Sequence, residues 1–381
     1  MSTELRPWED PEVRKHYDPK LIEFFETIQS KYQQYQLDHP DQYPDISHLT
    51  AVEQRRANAS RYSLYWRDVY KTYLPIDEIK DNVQVIDSTI DSFDGYKIPV
   101  KIYKNKNSIV NNIKTAVHIS YHGGGFAQGG LYKDAYQYYW LVHLAGVTVI
   151  DVGYRLIPEN HYLVSYLDSF AVLNYVYKHG EKNFNIDSKK ISIGGTSAGA
   201  KLTLALSHLA RDNEIPLALA FANVPIAGKL SLDGEVDPNS SWYKFRNDPQ
   251  LNWNSSVAFR SFKEDSNQKS YQINPSQIES FFGNSAVLEN LQTYYEPQIG
   301  ESPNWSNLPR TVIVVAESDP LNDSGKFYAK KLIDHGVEIK FKEIKGLGHQ
   351  HADFSNLFDQ SKEYLYFFAK TLKDIQDGNS F

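Results

Sequence analysis

Four short stretches hold residue types that together can do nucleophilic chemistry on a carbonyl. The first is Gly195-Thr196-Ser197-Ala198-Gly199, a serine flanked by small residues. A β-rich run, Lys190 to Gly194, precedes it and a helical run, Ala198 to Arg211, follows it. A serine at a sharp strand-to-helix turn is lifted clear of the sheet edge, and small neighbours let the backbone make that turn. The helix N-terminus beside it favours developing negative charge. The plainer reading is a packing turn, because the five-residue pattern alone often arises by chance. The strand before it and the helix after it favour the nucleophile.

The second stretch is His122-Gly123-Gly124-Gly125-Phe126, directly after the β-rich run Thr115 to Tyr121. A plain turn needs one or two glycines, not three beside a histidine. Three let main-chain N–H groups crowd a ligand, which acyl transfer requires where a carbonyl becomes an oxyanion. The expected donors are Gly124, Gly125 and, as the residue after the serine, Ala198.

The last two stretches lie downstream. Glu317, Asp319 and Asp323 follow the run Thr311 to Ala316, and His349 and His351 follow the run Val337 to Ile344. A carboxylate after one strand and a histidine after the next can meet at one edge of a parallel sheet. There the imidazole takes the serine proton, and the carboxylate holds its tautomer. Asp319 is the favoured acid. Pro320 disfavours helix at Asp319 and fixes the next φ. Glu317 stands at the strand end, and Asp323 is better placed to cap a helix over Ser324 to Ile333. His349 is the expected base, and His351 is expected to be dispensable. The candidate triad is therefore Ser197, Asp319 and His349.

These residues need a frame that brings four loops to one edge. Val83 to Ile90 and Tyr96 to Tyr103 read as strands joined by a turn at Ser92-Phe93-Asp94-Gly95. Further β-rich runs, Val147 to Val152 and Leu217 to Ile226, alternate with a helical run at Asp168 to Lys178, and an amphipathic helix is expected over Phe354 to Ile375. Strand–helix alternation predicts an α/β fold with a mostly parallel, doubly wound sheet.

Two helical stripes come first. One follows Asp18-Pro19 and carries Leu21, Phe24, Phe25, Ile28, Tyr32 and Tyr35. The other follows a Thr50-to-Glu53 capping box and carries Tyr62, Tyr65, Trp66, Val69, Tyr70 and Tyr73. Such faces must bury against something C-terminal. Residues 228–302 break the rhythm with Asn, Ser, Asp and many rings, among them Trp242, Phe245, Trp253, Phe259, Tyr271, Phe281 and Phe282. Linkers rarely carry so many rings, so this reads as an insertion on the sheet.

Composition narrows the chemistry. The net charge of −7 and the lack of a basic cluster argue against nucleic acid as a partner. The absence of cysteine excludes a thiol nucleophile, disulfides and zinc–thiolate sites. His161, His349, His351 and Asp353 fit no metal-ligand spacing, so neither metal nor cofactor is expected. Glu159 and Asp168 are read as loop supports. No apolar run is long enough to span a membrane, and residues 1–18 are polar and charged, so a cytoplasmic enzyme is expected.

The chain resembles the hormone-sensitive-lipase family of α/β-hydrolases from about residue 115 onward. The resemblance rests on His122 to Phe126, Tyr154-Arg155-Leu156-Ile157-Pro158-Glu159, Gly195 to Gly199, Asp319-Pro320-Leu321 and Gly346 to His349. Thr196 stands where the family often has Asp, as in the branch with Thr before the nucleophile, and Ile157 stands where Ala is frequent. The resemblance implies an α/β-hydrolase core at 81–227 and 303–381, with a cap built from helices in 1–80 and the insertion 228–302. It also implies a serine carboxylesterase acting on short to medium acyl esters. Amidase, lactonase and acyltransferase readings stay open on the same triad. So does a ligand receptor on this scaffold, although receptors of that kind lose the catalytic histidine.

Overall fold

The β-rich runs assemble into one eight-stranded sheet in a computed structural model that describes residues 11–131, 133–227, 273–295, 299–319 and 321–381. The strands are β1 (Val83–Asp91), β2 (Lys97–Asn105), β3 (Thr115–Tyr121), β4 (Thr148–Val152), β5 (Ile186–Thr196), β6 (Leu219–Asn223), β7 (Thr311–Ala316) and β8 (Ile339–Ile344). Their spatial order is β1-β2-β4-β3-β5-β6-β7-β8. The β1–β2 and β2–β4 pairs are antiparallel, and every later pair is parallel. The C-terminal ends of β3, β5, β7 and β8 therefore point the same way, and each of the four chemistry-bearing stretches follows one of them.

Side-chain alternation along a strand divides the interior into two layers. In β7, Ile313 and Val315 face one core, while Val312, Val314 and Ala316 face the other. The first core lies under the Tyr162–Phe184 and Ala198–Asp212 helices, and the second under Ala135–Ala145 and Asp359–Asp377. Helices on both faces keep a parallel sheet dry, and β3, β4, β6 and β7 are buried at every residue.

The two N-terminal helices form where their caps direct. The Asp18 side chain accepts the Lys20 N–H at 2.9 Å and opens Pro19–Asp38. Thr50 and Glu53 bond reciprocally and open Ala51–Leu64. Their partner is the chain after β8. Phe24 meets Phe354 at 5.4 Å and Phe358 at 6.3 Å, and Trp66 meets Phe354 at 4.9 Å. The Asp18 N–H donates to the Gly346 carbonyl at 2.8 Å.

Two expectations need correction. The closing helix begins at Asp359, not Phe354. Residues His351–Phe354 form a 3-10 turn, and Phe358 is extended with φ −125°. The Asn356 N–H donates to Thr72 O at 2.8 Å and its side chain to Lys71 O at 2.9 Å. Those tertiary bonds hold the segment out of helix, and the same segment presents Phe354 and Phe358 to the N-terminal helices. Asp323 is not an N-cap. A turn in which the Asn322 N–H donates to Asp319 O at 2.9 Å starts the helix at Asn322–Asp334, so Asp323 is its second residue.

Most of the aromatic insertion, including Trp242, Phe245, Trp253, Phe259 and Tyr271, lies outside the described residues. Its described end carries the Pro275–Phe282 helix, whose Phe282 packs on Phe170 at 4.9 Å. Among the described residues no helix is long and apolar enough to cross a membrane.

Candidate active site

Strand β5 ends at Thr196 and a helix starts at Ala198, so Ser197 must turn the chain alone. It does so with φ 59° and ψ −115°, a positive φ that a side-chain-bearing residue holds only under constraint from its surroundings. The Ser197 N–H donates to Asn223 O on β6 at 2.9 Å, and Ser197 O accepts from the Lys201 N–H at 3.0 Å. A Cβ on Gly199 would lie 1.8 Å from Tyr121 O, and one on Gly195 would lie 2.4 Å from the same atom. The end of β3 thus presses on the elbow from both sides of the serine, and only glycine fits there.

The glycine loop closes on this elbow. A Cβ on Gly123 would sit 2.9 Å from Thr196 O and 3.5 Å from Ser197 Cβ. Gly124, Gly125 and Phe126 have φ of 129°, 60° and 62°. The His122 ring is stacked on Tyr154 at 4.3 Å, and the Tyr154 hydroxyl donates to His122 O at 2.6 Å. Burial pushes the His122 pKa down to about 4, so its ring is a neutral wall rather than a charge. Ala198 N–H heads the helix immediately after the serine.

The downstream loops bring the acid and base to the same edge. The Ser318 N–H donates to Leu347 O at 2.9 Å, joining the two loops. Asp319 is wholly buried; its Oδ1 accepts the Leu321 N–H at 2.8 Å and its Oδ2 accepts from His349 Nδ1 at 2.8 Å. His349 Nε2 lies 2.9 Å from Ser197 Oγ. Burial disfavours a charged His349, but the Asp319 carboxylate and its hydrogen bond outweigh that cost, so the pKa stands above the ordinary histidine value.

The other candidates are held elsewhere. Glu317 Oε2 accepts the Gly346 N–H at 3.0 Å, and its Oε1 lies 3.2 Å from His16 Nδ1, so it braces the β8 loop. His351 is buried, with Nε2 2.9 Å from Asn223 Oδ1 and its ring edge-on to Tyr364 at 4.6 Å. His161 caps the Tyr162–Phe184 helix. Asp168 grips Arg155, as expected of a loop support.

Two contributors were not visible in the sequence. Arg56, on the second N-terminal helix, donates to Ala127 O at 2.6 Å and Ile157 O at 2.9 Å and pairs both Glu159 oxygens. It ties that helix to the loop after the three glycines. Asn223 is the other, one polar residue at the end of an apolar strand.

The profile of a family described by its alpha/beta hydrolase fold matches residues 118–353, more than half of the chain. The chain belongs to that family. This hydrolase is 28% identical to an arylesterase of Saccharolobus solfataricus over 282 residues, covering 74% of this chain and 81% of that protein. It is 26% identical to the carboxylesterase NlhH of Mycobacterium tuberculosis, covering 73% and 78%. Among solved structures, an arylesterase superposes with a TM-score of 0.69 at 23% identity, covering 94% of this chain and 99% of that one. An esterase of Pyrobaculum calidifontis gives 0.65 at 23% identity, covering 86% and 95%. At these identities the superpositions speak for the fold, and the α/β-hydrolase sheet is common to all of them.

Proposed function

We propose that this hydrolase is a serine carboxylesterase working through an acyl-enzyme. The observation that carries the reading is the unbroken hydrogen-bonded chain from Ser197 Oγ through His349 to Asp319, beside a three-glycine loop. Ser197 Oγ attacks the ester carbonyl while His349 Nε2 takes its proton. Asp319 keeps the remaining N–H on Nδ1 and stabilises the imidazolium. The oxyanion is received by the N–H groups of Gly124, Gly125 and Ala198. His349 then protonates the leaving alcohol. Water, deprotonated by the same ring, releases the acid and restores Ser197. No step calls for a metal or cofactor.

The names of the relatives favour water over an alcohol as acceptor, since they are esterases and, in Pseudomonas putida, an ethyl acetate hydrolase. The presence of His349 favours an enzyme over a receptor. Within the family, the motifs quoted above support reading the chain as a member of the hormone-sensitive-lipase branch that has Thr before the nucleophile. The N-terminal helices, whose role the Arg56 contacts support, and the aromatic-rich insertion 228–302 are read as the cap. An apolar cap over the elbow selects short to medium acyl chains.

Aryl esters of graded acyl length test the reading beside Ser197→Ala. Turnover is expected to fall as the chain lengthens, and Ser197→Ala is expected to lose it by about 10⁴-fold or more together with organophosphonate labelling. Labelling retained in Ser197→Ala would refute the nucleophile.

A further inference from the structure

We propose that His351 and Asn223 form a buried positioning pair that fixes the nucleophile elbow relative to the loop bearing the general base. The inference rests on Ser197 and His349 acting as proposed above, and it departs from the expectation that His351 is dispensable because that ring is buried against Asn223.

Ser197 and His349 come from β5 and from the loop after β8, with β6 and β7 lying between those strands. Their 2.9 Å contact breaks and re-forms in each turnover, so it cannot set its own length. Something that does not react must hold the two loops in register.

Asn223 is suited to do so. It pairs with Thr196 in the parallel β5–β6 register and is almost wholly buried. Its carbonyl accepts the Ser197 N–H at 2.9 Å, supporting the positive-φ residue directly. Its side-chain amide donates to Thr196 Oγ1 at 3.3 Å. Its Oδ1 is left to accept, and His351 Nε2 stands there at 2.9 Å. One residue thus grips the elbow by backbone and side chain and is gripped in turn from the base loop.

His351 lies two residues beyond His349, and its N–H donates to Gly348 O at 3.0 Å across the base. The bond to Asn223 requires the tautomer with the proton on Nε2. Burial pushes the ring's pKa down to about 3, so the ring stays neutral through the range in which esters are turned over, and Asn223 Oδ1 selects the tautomer. Tyr364, from the closing helix, fixes the ring edge-on. The span Ser197–Asn223–His351–Gly348 therefore closes a loop around the reacting pair without sharing its proton. The hydroxyl of Thr196 takes part in this bracing, which gives that side chain a task at the position before the nucleophile.

Replacing His351 by Gln and by Phe tests the assignment. Both fill the space, but only Gln keeps an N–H donor for Asn223. His351→Phe is expected to lower kcat and the organophosphonate labelling rate about 10- to 100-fold with KM within about threefold, as a small misplacement of reacting groups does. His351→Gln is expected to recover most of both. Asn223→Ser is expected to repeat the kcat loss. His351→Phe with kcat within threefold of wild type overturns the proposal, and so does a Gln variant as impaired as Phe. If His351→Phe does not fold, Asn223→Ser decides by the same split; if neither folds, the pair is a fold element and the proposal fails. Wild-type labelling that persists in Ser197→Ala would instead refute the triad, which keeps the two failures distinguishable.

Discussion

Asp319 Oδ2 accepts from His349 Nδ1 at 2.8 Å while Asp319 Oδ1 accepts the Leu321 N–H at the same distance. The carboxylate is therefore oriented by its own loop before the imidazole reaches it. Asp319→Asn keeps the size and, through its amide oxygen, the bond to Leu321, so it is expected to fold. Its other end then presents an NH₂ to Nδ1 and favours the wrong tautomer, and kcat is expected to fall by about 10³- to 10⁴-fold. Asp323→Asn, in the helix beyond, is expected to stay within about threefold of wild type, with Glu317→Gln between the two. Steady-state assay of the three variants checks this, and a normal Asp319→Asn would move the acid.

The same pair sets the pH profile. General-base catalysis needs neutral His349, so kcat/KM rises with pH through the free-enzyme pKa. Asp319 holds that pKa above the ordinary value of about 6.5, so the acid limb is expected above it. Without the carboxylate, burial dominates, and the limb of Asp319→Asn is expected to shift downward. A wild-type profile flat from pH 5 to 8 would count against a histidine base.

Close approach at the elbow predicts which glycines are indispensable. Gly199→Ala puts a methyl group 1.8 Å from Tyr121 O, a backbone atom that cannot move aside. A loss of about 3 kcal/mol or more and of nearly all activity is expected. Gly180→Ala meets only side-chain atoms, Ile186 at 3.0 Å and Val176 at 3.3 Å, in a helix, where alanine is intrinsically favoured by about 1 kcal/mol. It is expected to be close to neutral in urea unfolding and in turnover.

Buried histidines predict acid sensitivity of the fold. Burial lowers the pKa of His118, His208 and His351 to about 3 and of His122 to about 4. Between those values and the unfolded value of about 6.5, each is neutral when folded and charged when unfolded, so unfolding takes up protons and stability rises with pH. Asp134 and Asp151, whose pKa values burial raises, act in the opposite sense. With four such histidines against two carboxyls, net proton uptake on unfolding near pH 5 is expected from the pH dependence of urea unfolding. Net proton release there would contradict neutral buried rings.

The class of fold and the proposed chemistry were both legible in the sequence. Ser197, Asp319 and His349 stood out as the candidate triad because each follows a legible β-rich run, and parallel strands carry their C-terminal ends to one edge. The glycines beside Ser197 and at 123 and 124 were legible because backbone approaches too closely there for a side chain. The tertiary structure alone decided what had to be read across distant segments. It aimed the His349 ring at Ser197 Oγ and gave His351 a partner, Asn223, that no local pattern names. It moved the start of the closing helix from Phe354 to Asp359, because bonds from Asn356 to Thr72 and Lys71 outweigh local helical periodicity. It also paired Arg56 with Glu159, 103 residues away, and Asn223 with His351, 128 residues away. Hydrogen bonds of that reach depend on where whole strands and helices dock, and nothing in the local sequence around either partner encodes them.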